Sequence, residues 1–248
     1  MKTINYSFFT SHNWYIDNPE CVKPLLSNDY SPFSSLVKES TALRKGVIFQ
    51  KCPAHTDFTK NVMVWYAPFD LTLIIDIDFA TGNGKVFCEN INQEIFDQLV
   101  DTRFLFGDKS GISPYPVIGI DWLCAFTADT SIVMQVLPAF MHHNDFTSKA
   151  TLIPGEYDIS KWTRPVEIVF EIKKSQERIV IKKGDAIAYV KFITDDQIKL
   201  VEHPVPWDEI KICNDLQKED TYRPLSERYN SLEEVRNKQR CPYEPNNK

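Results

Sequence analysis

Apolar and polar side chains alternate most clearly between residues 164 and 193. Residues 166–172 carry an apolar side chain at every second position, and residues 179–181 and 186–193 form two more apolar runs. Charged turns separate the three runs. A period of two is typical of a half-buried strand. The pattern predicts three strands that form one antiparallel unit, whose apolar face needs a second sheet to cover it.

Similar alternation indicates strands elsewhere in the chain. They are predicted over residues 2–9, 47–49, 62–67, 69–78, 86–88, 117–126 and 131–140. The sequence Thr-Gly-Asn-Gly at residues 81–84 is a strong turn signal and predicts a hairpin between the strands on either side of it. Residues 127–130 are predicted to join strands 117–126 and 131–140 in a second hairpin.

Helical spacing is found in only a few segments. Residues 92–100 place apolar side chains on one face, and Asn92 or Asn90 is suited to cap the first turn. Residues 34–44 predict a short helix, and residues 225–238 predict a longer one near the end of the chain.

The balance of elements favours an all-β fold. Short strands with close turns are typical of an antiparallel β-sandwich or a jelly-roll (double-stranded β-helix), here with a few short helices. Fifteen prolines against eight glycines also argue for fixed turns and against long helices. We expect one β-sandwich domain over residues 1–213, with its core at 45–203. Residues 214–248 hold few large aliphatic side chains and are expected to form a partly helical C-terminal extension.

The amino-acid composition of the chain argues against several classes of function. A formal net charge of −6 disfavours general binding to the nucleic-acid backbone, which requires a surplus of lysine and arginine. No apolar run approaches the roughly 20 residues that a membrane-spanning helix needs. The six cysteines include no Cys-x-x-Cys pair, and the N-terminal residues do not resemble a secretory signal. We therefore expect free thiols in a reducing compartment.

Two resemblances to known protein families add to these predictions. The segment Lys183-Gly184-Asp185-Ala186-Ile187-Ala188 resembles the Lys-Gly-Asp-x-Ile-Ala strand of dUTPase-type β-clip proteins, with Tyr189 where a glutamine usually follows. The catalytic motifs of that family are absent. The resemblance implies at most a nucleotide-binding scaffold without hydrolysis.

The second resemblance is spread over about residues 47–203. It is carried by Cys-Pro-Ala at 52–54, Lys-Asn at 60–61, Ala-Pro-Phe-Asp-Leu at 67–71, Leu-Pro-Ala-Phe at 137–140, Ile-Pro-Gly at 153–155, Trp162 with Arg-Pro-Val at 164–166, and Lys-Gly-Asp at 183–185. In this order the motifs resemble uncharacterised proteins of marine tailed phages. The resemblance implies a viral origin and a fold but no mechanism, and we expect a non-catalytic viral protein in the host cytoplasm or the virion. Such a protein is expected to act through a protein partner or through self-association.

One constellation suggests chemistry. His143 and Asp145 form a His-x-Asp motif, and His203 follows a later strand. Two imidazoles and a carboxylate on one face form the facial triad that holds iron in non-haem oxygenases. The alternative hypothesis is therefore an Fe2+ oxygenase of the 2-oxoglutarate type with His143, Asp145 and His203 as metal ligands.

Overall fold

The computed structural model describes residues 1–8, 33–38, 52–78, 84–101, 115, 117–203, 212–213, 215–216 and 224–239. The strands are β1 (Lys2–Phe8), β2 (Phe33–Ser35), β3 (Val62–Tyr66), β4 (Leu71–Ile77), β5 (Gly84–Cys88), β6 (Val100–Asp101), β7 (Val117–Thr127), β8 (Val133–Leu137), β9 (Ala150–Leu152), β10 (Gly155–Asp158), β11 (Pro165–Ile172), β12 (Gln176–Ile181), β13 (Ala186–Ile193) and β14 (Ile198–Glu202). The helices are α1 (Pro53–Thr59), α2 (Gln93–Leu99), α3 (Asp145–Lys149) and α4 (Leu225–Gln239).

The strands are arranged in sheets of different size. Sheet A has the order β14-β1-β7-β11-β9, with β6 also paired to β7. Sheet B has the order β10-β8-β13-β3-β2, and sheet C the order β12-β4-β5. Strands β1 and β14 are parallel, whereas the pairs that join β7 to β11 and β13 to β3 and β8 are antiparallel. The predicted all-β class is thus confirmed at the level of a mostly β protein with short helices.

Aromatic side chains connect sheets A and B across the core. The ring of Phe126, on β7 of sheet A, lies 5.3 Å from Phe33 and 5.7 Å from Phe192, both on sheet B. Trp65 of β3 approaches the same ring edge-on at 6.1 Å. Edge-on and tilted ring contacts of this kind add to the hydrophobic energy of burial. The apolar faces of the two larger sheets therefore pack against each other.

The predicted three-stranded unit at residues 164–193 is wrong, although its strands exist. Strand β11 lies in sheet A, β12 in sheet C and β13 in sheet B. Alternation determines which side chains face the core, but it does not determine which strand lies alongside. Strand β13 is buried on both faces from Ala186 to Val190, because Ile187 and Val190 belong to the main core whereas Ala186 and Tyr189 belong to a second apolar cluster.

The predicted hairpin at residues 127–130 is also wrong. Strand β7 belongs to sheet A and β8 to sheet B, so the connection between them crosses from one sheet to the other. Ala128 in this connection is buried, which is consistent with a crossover over the core rather than an exposed turn. Residues 138–140, predicted as the end of the second strand, lie beyond the last residue of β8.

Several local predictions are confirmed. Strands β4 and β5 pair antiparallel on either side of the predicted hairpin turn, whose first residues lie outside the described part of the chain. Asn92 caps α2 by accepting a hydrogen bond from the main-chain N–H of Glu94 at 2.8 Å. The predicted helix at 34–44 is wrong at its start, because β2 occupies Phe33–Ser35. Residues 39–44 and the strand predicted at 47–49 lie outside the described residues.

Helix α4, near the end of the chain, packs on the β domain. Leu232 is buried with Trp162 and Cys213, and the hydroxyl of Tyr229 accepts a hydrogen bond from the main-chain N–H of Asp158 at 2.8 Å. The ring of Tyr229 lies 6.4 Å from that of Trp162. None of the described helices is long and apolar enough to cross a membrane.

Loss of the Leu232 side chain should loosen α4. Leu232→Ala removes a fully buried leucine, which costs about 2–3 kcal/mol and corresponds to roughly 30- to 150-fold more opening of the helix. Native-state hydrogen exchange of the α4 amides measures this opening. Val235→Ala, at a half-buried position of the same helix, is the control and should accelerate exchange much less. Equal effects of the two changes would contradict the packing of α4 through Leu232.

Candidate functional site

A cleft of about 320 Å³ lies where strands of sheets A and B come together. One wall is formed by residues 153–157, which lead from β9 into β10, and the other by residues 162–169, which lead into β11. Leu225, the first residue of α4, closes one side. Ile153 and Leu225 are exposed apolar side chains at its rim. The lining is thus an apolar surface to which a few polar groups are added.

Strand β10 is the end strand of sheet B, and its outer side faces away from β8. The main-chain N–H of Asp158 points to this outer side, because it donates to Tyr229, whereas that of Ile159 donates inward to Ile132 at 3.0 Å. Main-chain groups alternate in direction along a strand. The N–H and C=O of Glu156, two residues before Asp158, therefore also point outward, at the cleft.

The opposite wall is also a strand edge. Strand β9 pairs with β11 only from Phe170 to Ile172, and the N–H of Ile153 donates to the carbonyl of Val169 at 2.8 Å. Among the described strands, none pairs with the earlier part of β11 on the side away from β7. Two strand edges therefore border the cleft.

Two buried polar atoms belong to residues that line the cleft. The indole nitrogen of Trp162 and the hydroxyl of Tyr157 have no hydrogen-bond partner among the described residues. Trp162 is 1% exposed. Burial raises the pKa of the Tyr157 hydroxyl far above its usual range, so this group stays a neutral donor. Buried polar groups are nearly always hydrogen-bonded, and a buried water is the simplest acceptor for these two atoms.

Charged side chains lie on the β11 wall. The guanidinium of Arg164 is 3.5 Å from the carboxylate of Glu167, and both side chains are about a quarter exposed, at 22% and 27%. The carboxylate of Glu167 lies against Gly119 of β7, where an added Cβ would collide with it. Glycine at position 119 therefore lets the Glu167 side chain lie flat on the backbone of β7.

Asp121 of β7 stands opposite Glu167 in the strand register. Its carboxylate accepts a hydrogen bond from the N–H of Leu123 at 2.7 Å, and Leu123 has a φ of 57°. A left-handed conformation is uncommon for a leucine and costs free energy. The register between β11 and β7 shifts here, because Pro165 pairs with Ala125 whereas Glu167 pairs with Asp121. The extra residues lie on β7, which therefore bulges at this point.

Burial raises the pKa of the Asp121 carboxyl to about 7. The hydrogen bond from Leu123 and the charge of Arg164 lower it in part, and the charge of Glu167 raises it further. Asp121 and Glu167 therefore form a pair of facing carboxyls of which one is half protonated near neutral pH. Titratable groups with strongly perturbed pKa values cluster at functional sites.

One feature of the sequence indicates this pair, although the pair was not among the predicted site residues. Asp121 is the only charged residue in the otherwise apolar or small run at 117–127. A lone carboxylate within a buried strand requires a partner or a function. The positions of Arg164, Glu167 and Trp162 at the cleft depend on the bulge in β7 and on the chain crossing between sheets A and B. No local sequence pattern predicts either feature.

No protein-family model, curated protein or solved structure matches this chain.

The residues predicted as iron ligands lie in separate settings. His143 is exposed and lines a second, smaller cleft of about 120 Å³. Asp145 begins α3, where its carboxylate lies 2.8 Å from the Lys149 ammonium and accepts from the N–H of Val180 at 2.8 Å. Burial raises the pKa of Asp145, but the contacts with Lys149 and Val180 outweigh this and lower it overall.

His203 follows β14, and its main-chain N–H donates to the carbonyl of Tyr6 at 2.9 Å. The described residues include His143, Asp145 and His203, and no group of three His, Cys, Asp or Glu side chains among the described residues is placed to hold a metal ion. The Fe2+ site stays a hypothesis from the sequence, and no geometric feature of the described residues favours it.

Residues 183–188, which resemble a strand of dUTPase-type proteins, are held by hydrogen bonds and by the turn at Gly184. Gly184 has a φ of 88°, as its predicted turn role requires, and the N–H of Lys183 donates to the carboxylate of Asp70 at 2.7 Å. Tyr189, where the β-clip family usually has glutamine, is buried and its hydroxyl lies 2.8 Å from Nδ1 of His142. These contacts fix the entry into β13, and nucleotide binding stays a hypothesis.

Proposed function

We propose that this protein is a non-catalytic binding protein that takes up an extended segment of a protein partner in the cleft between β10, β11 and α4. The observation that carries the proposal is the edge of β10, whose outward main-chain groups at Glu156 border an apolar cleft. Extended peptides bind by adding a strand to such an edge, with main-chain hydrogen bonds for affinity and pockets for alternate side chains. We further propose that sheets A and B form a β-sandwich, with the cleft at its open edge.

The polar atoms of the cleft support a peptide as the ligand. The outward N–H of Glu156 can donate to a peptide carbonyl, and its outward carbonyl can accept from a peptide N–H. The rim residues Ile153 and Leu225 offer apolar contact to side chains that alternate along an extended chain.

This function agrees with the resemblance to tailed-phage proteins. A viral protein of this kind acts on a host factor or takes part in particle assembly, and the partner segment then belongs to a host protein or to a second copy of this chain. The net charge of −6 supports a protein rather than a nucleic acid as partner.

Selection from a displayed library of random linear peptides tests the proposal with the full-length protein. We expect enriched peptides that bind wild type and lose at least about tenfold in affinity with Gly155→Trp. Gly155 lines the cleft, and a Cβ added there meets nothing within 4 Å, so we expect the indole to obstruct the cleft without disturbing the fold.

Thr151→Trp is the matched control, because Thr151 is exposed on the neighbouring strand β9 and does not line the cleft. It should bind the enriched peptides as wild type does. Absence of any enriched peptide, or binding that survives Gly155→Trp, would show that the cleft is not a peptide site.

A further inference from the structure

The hydrogen-bonding groups on the outer edge of β10 limit how a partner segment can pair there. We propose that a single residue of the bound segment pairs with the main chain of Glu156, and that Tyr229 of α4 ends the pairing before Asp158. Tyr229 is then a positioning residue that sets the register of the partner segment. The inference rests on the proposed function, because a register exists only if an extended segment lies along β10.

Asp158 is the next outward residue after Glu156 on β10, and both of its main-chain groups are already bonded. Its N–H donates to the Tyr229 hydroxyl at 2.8 Å. Its carbonyl accepts from the N–H groups of Lys161 and Trp162, at 3.1 and 2.9 Å. These two bonds use both lone pairs of the carbonyl oxygen. A partner strand that reached Asp158 would therefore find no donor and no acceptor for its own main chain.

Proline limits the edge on the other side of Glu156. Pro154, two residues earlier, has no main-chain N–H to donate. The N–H of Ile153 is bound to the carbonyl of Val169 on β11 at 2.8 Å, so the main chain before Pro154 is tied to sheet A. Among the residues that the structure describes, the N–H and the carbonyl of Glu156 have no hydrogen-bond partner. Glu156 is therefore the outward residue of β10 that can both donate to and accept from a partner segment.

Packing against the domain holds the ring of Tyr229 at the edge of β10. The ring lies 6.4 Å from that of Trp162, and the ammonium of Lys161 lies 5.8 Å from the centroid of the Tyr229 ring. Leu232, three residues later on α4, is buried with Trp162. The hydroxyl that covers the N–H of Asp158 is therefore fixed by the docking of the whole helix.

This arrangement gives α4 a role in the specificity of the cleft. In ordinary strand addition, a longer segment gains main-chain hydrogen bonds at every second residue. Here the gain ends after the residue that faces Glu156, so further selectivity comes from side chains that contact the apolar rim at Ile153 and Leu225. Lengthening the segment toward Asp158 should add nothing while the Tyr229 hydroxyl is in place.

Synthetic peptides test whether Tyr229 ends the pairing. An enriched peptide, truncated to the minimal length that keeps its affinity for the full-length protein, is compared with two versions lengthened by two alanines at either end. For wild type, we expect both lengthened peptides to bind within about twofold of the short one. Tyr229→Ala frees the N–H of Asp158, so one lengthened peptide should gain about three- to tenfold in affinity, as is typical of one added hydrogen bond.

Leu232→Ala is the matched control, because it weakens the docking of the same helix but keeps the Tyr229 hydroxyl on Asp158 when α4 is docked. Its affinity for the lengthened peptides should stay within about twofold of that for the short one. Equal gains in the two variants would assign the effect to a loosened α4 and overturn the role of Tyr229. The absence of any gain with Tyr229→Ala would overturn it as well.

Hydrogen exchange of the wild-type amides tests the pairing at Glu156 without a mutation. Saturating peptide should slow exchange of the Glu156 amide at least about tenfold, because this N–H gains a partner. The Asp158 amide is already bonded to Tyr229 and should slow much less. A peptide that is blocked by Gly155→Trp yet leaves the Glu156 amide unprotected would overturn the inference and leave binding in the cleft intact. If no peptide is enriched, or if binding survives Gly155→Trp, the proposed function itself fails.

Discussion

Asp121→Asn should stabilise the protein at pH 8 while leaving its stability at pH 4 nearly unchanged. The folded protein holds the pKa of this carboxyl at about 7, whereas an unfolded chain returns it to about 3.9. A carboxyl with a raised pKa in the folded state binds its proton more tightly there than in the unfolded state. The stability that this proton contributes is complete below about pH 4 and is lost as the pH rises to about 7.

The difference between the two pKa values corresponds to about 4 kcal/mol of unfolding free energy, as an order of magnitude. Asparagine cannot ionise, and its side-chain oxygen still accepts from the N–H of Leu123. The variant should therefore keep the hydrogen bond that accompanies the left-handed Leu123 and avoid the cost of a buried charge.

Denaturant unfolding at several pH values between 4 and 8 measures the effect. The difference in unfolding free energy between Asp121→Asn and wild type should grow with pH and level off above about 7. Comparison with wild type at each pH cancels the titration of other groups, such as Asp158 and Glu177, whose pKa values are lowered. Parallel stability curves for the two proteins would mean that Asp121 is not the buried carboxyl that the bulge in β7 creates.

Local patterns in the sequence predict the faces of single elements well. The alternation at 71–77 and 166–172 identifies the buried side of β4 and β11, because a strand exposes and buries every second side chain. The capping of α2 by Asn92 follows from the same kind of local rule. These features depend on a few neighbouring residues and are therefore present in the sequence itself.

The pairing of strands, in contrast, is not determined by neighbouring residues alone. Strands β11, β12 and β13 follow one another along the chain, yet each joins a different sheet. Their turns are compatible with hairpins, but better burial is reached when β13 lies between β3 and β8 and when β12 pairs with β4. The gain depends on segments more than fifty residues away, which no short window of sequence contains.

The candidate cleft is even less accessible to sequence reasoning. Its walls combine residues 153–157, 162–169 and the start of α4, and its charge depends on a carboxyl on β7. Asp121 has an ordinary pKa in an isolated strand, and only the packing of sheet A raises it. His143, Asp145 and His203 illustrate the converse, since their spacing in the sequence is plausible but no group of three metal ligands is found among the described residues.

Phe170→Ala should lower the unfolding free energy by roughly 3–5 kcal/mol, as is typical when a buried aromatic side chain is truncated. Phe170 is 0% exposed, and its ring meets that of Phe146 edge-on at 5.1 Å. The position lies in the middle of sheet A, where Phe170 pairs with Ile118 on one side and with Leu152 on the other. Alanine would leave a cavity whose walls are held by three strands and by α3, so the surrounding side chains cannot collapse to fill it.

Glu171→Ala is the matched control at the next position of β11. Glu171 is half-buried on the opposite face, outside the apolar core, and its loss should change the unfolding free energy by no more than about 0.5 kcal/mol. Urea unfolding at one pH measures both variants, with an unchanged slope as the sign that the transition stays two-state. If Glu171→Ala proved the more damaging change, the inward face of β11 would be the one that carries Glu167 and Glu171. The carboxylate wall of the cleft would then lie inside the core, because a shift of one residue exchanges the two faces of a strand.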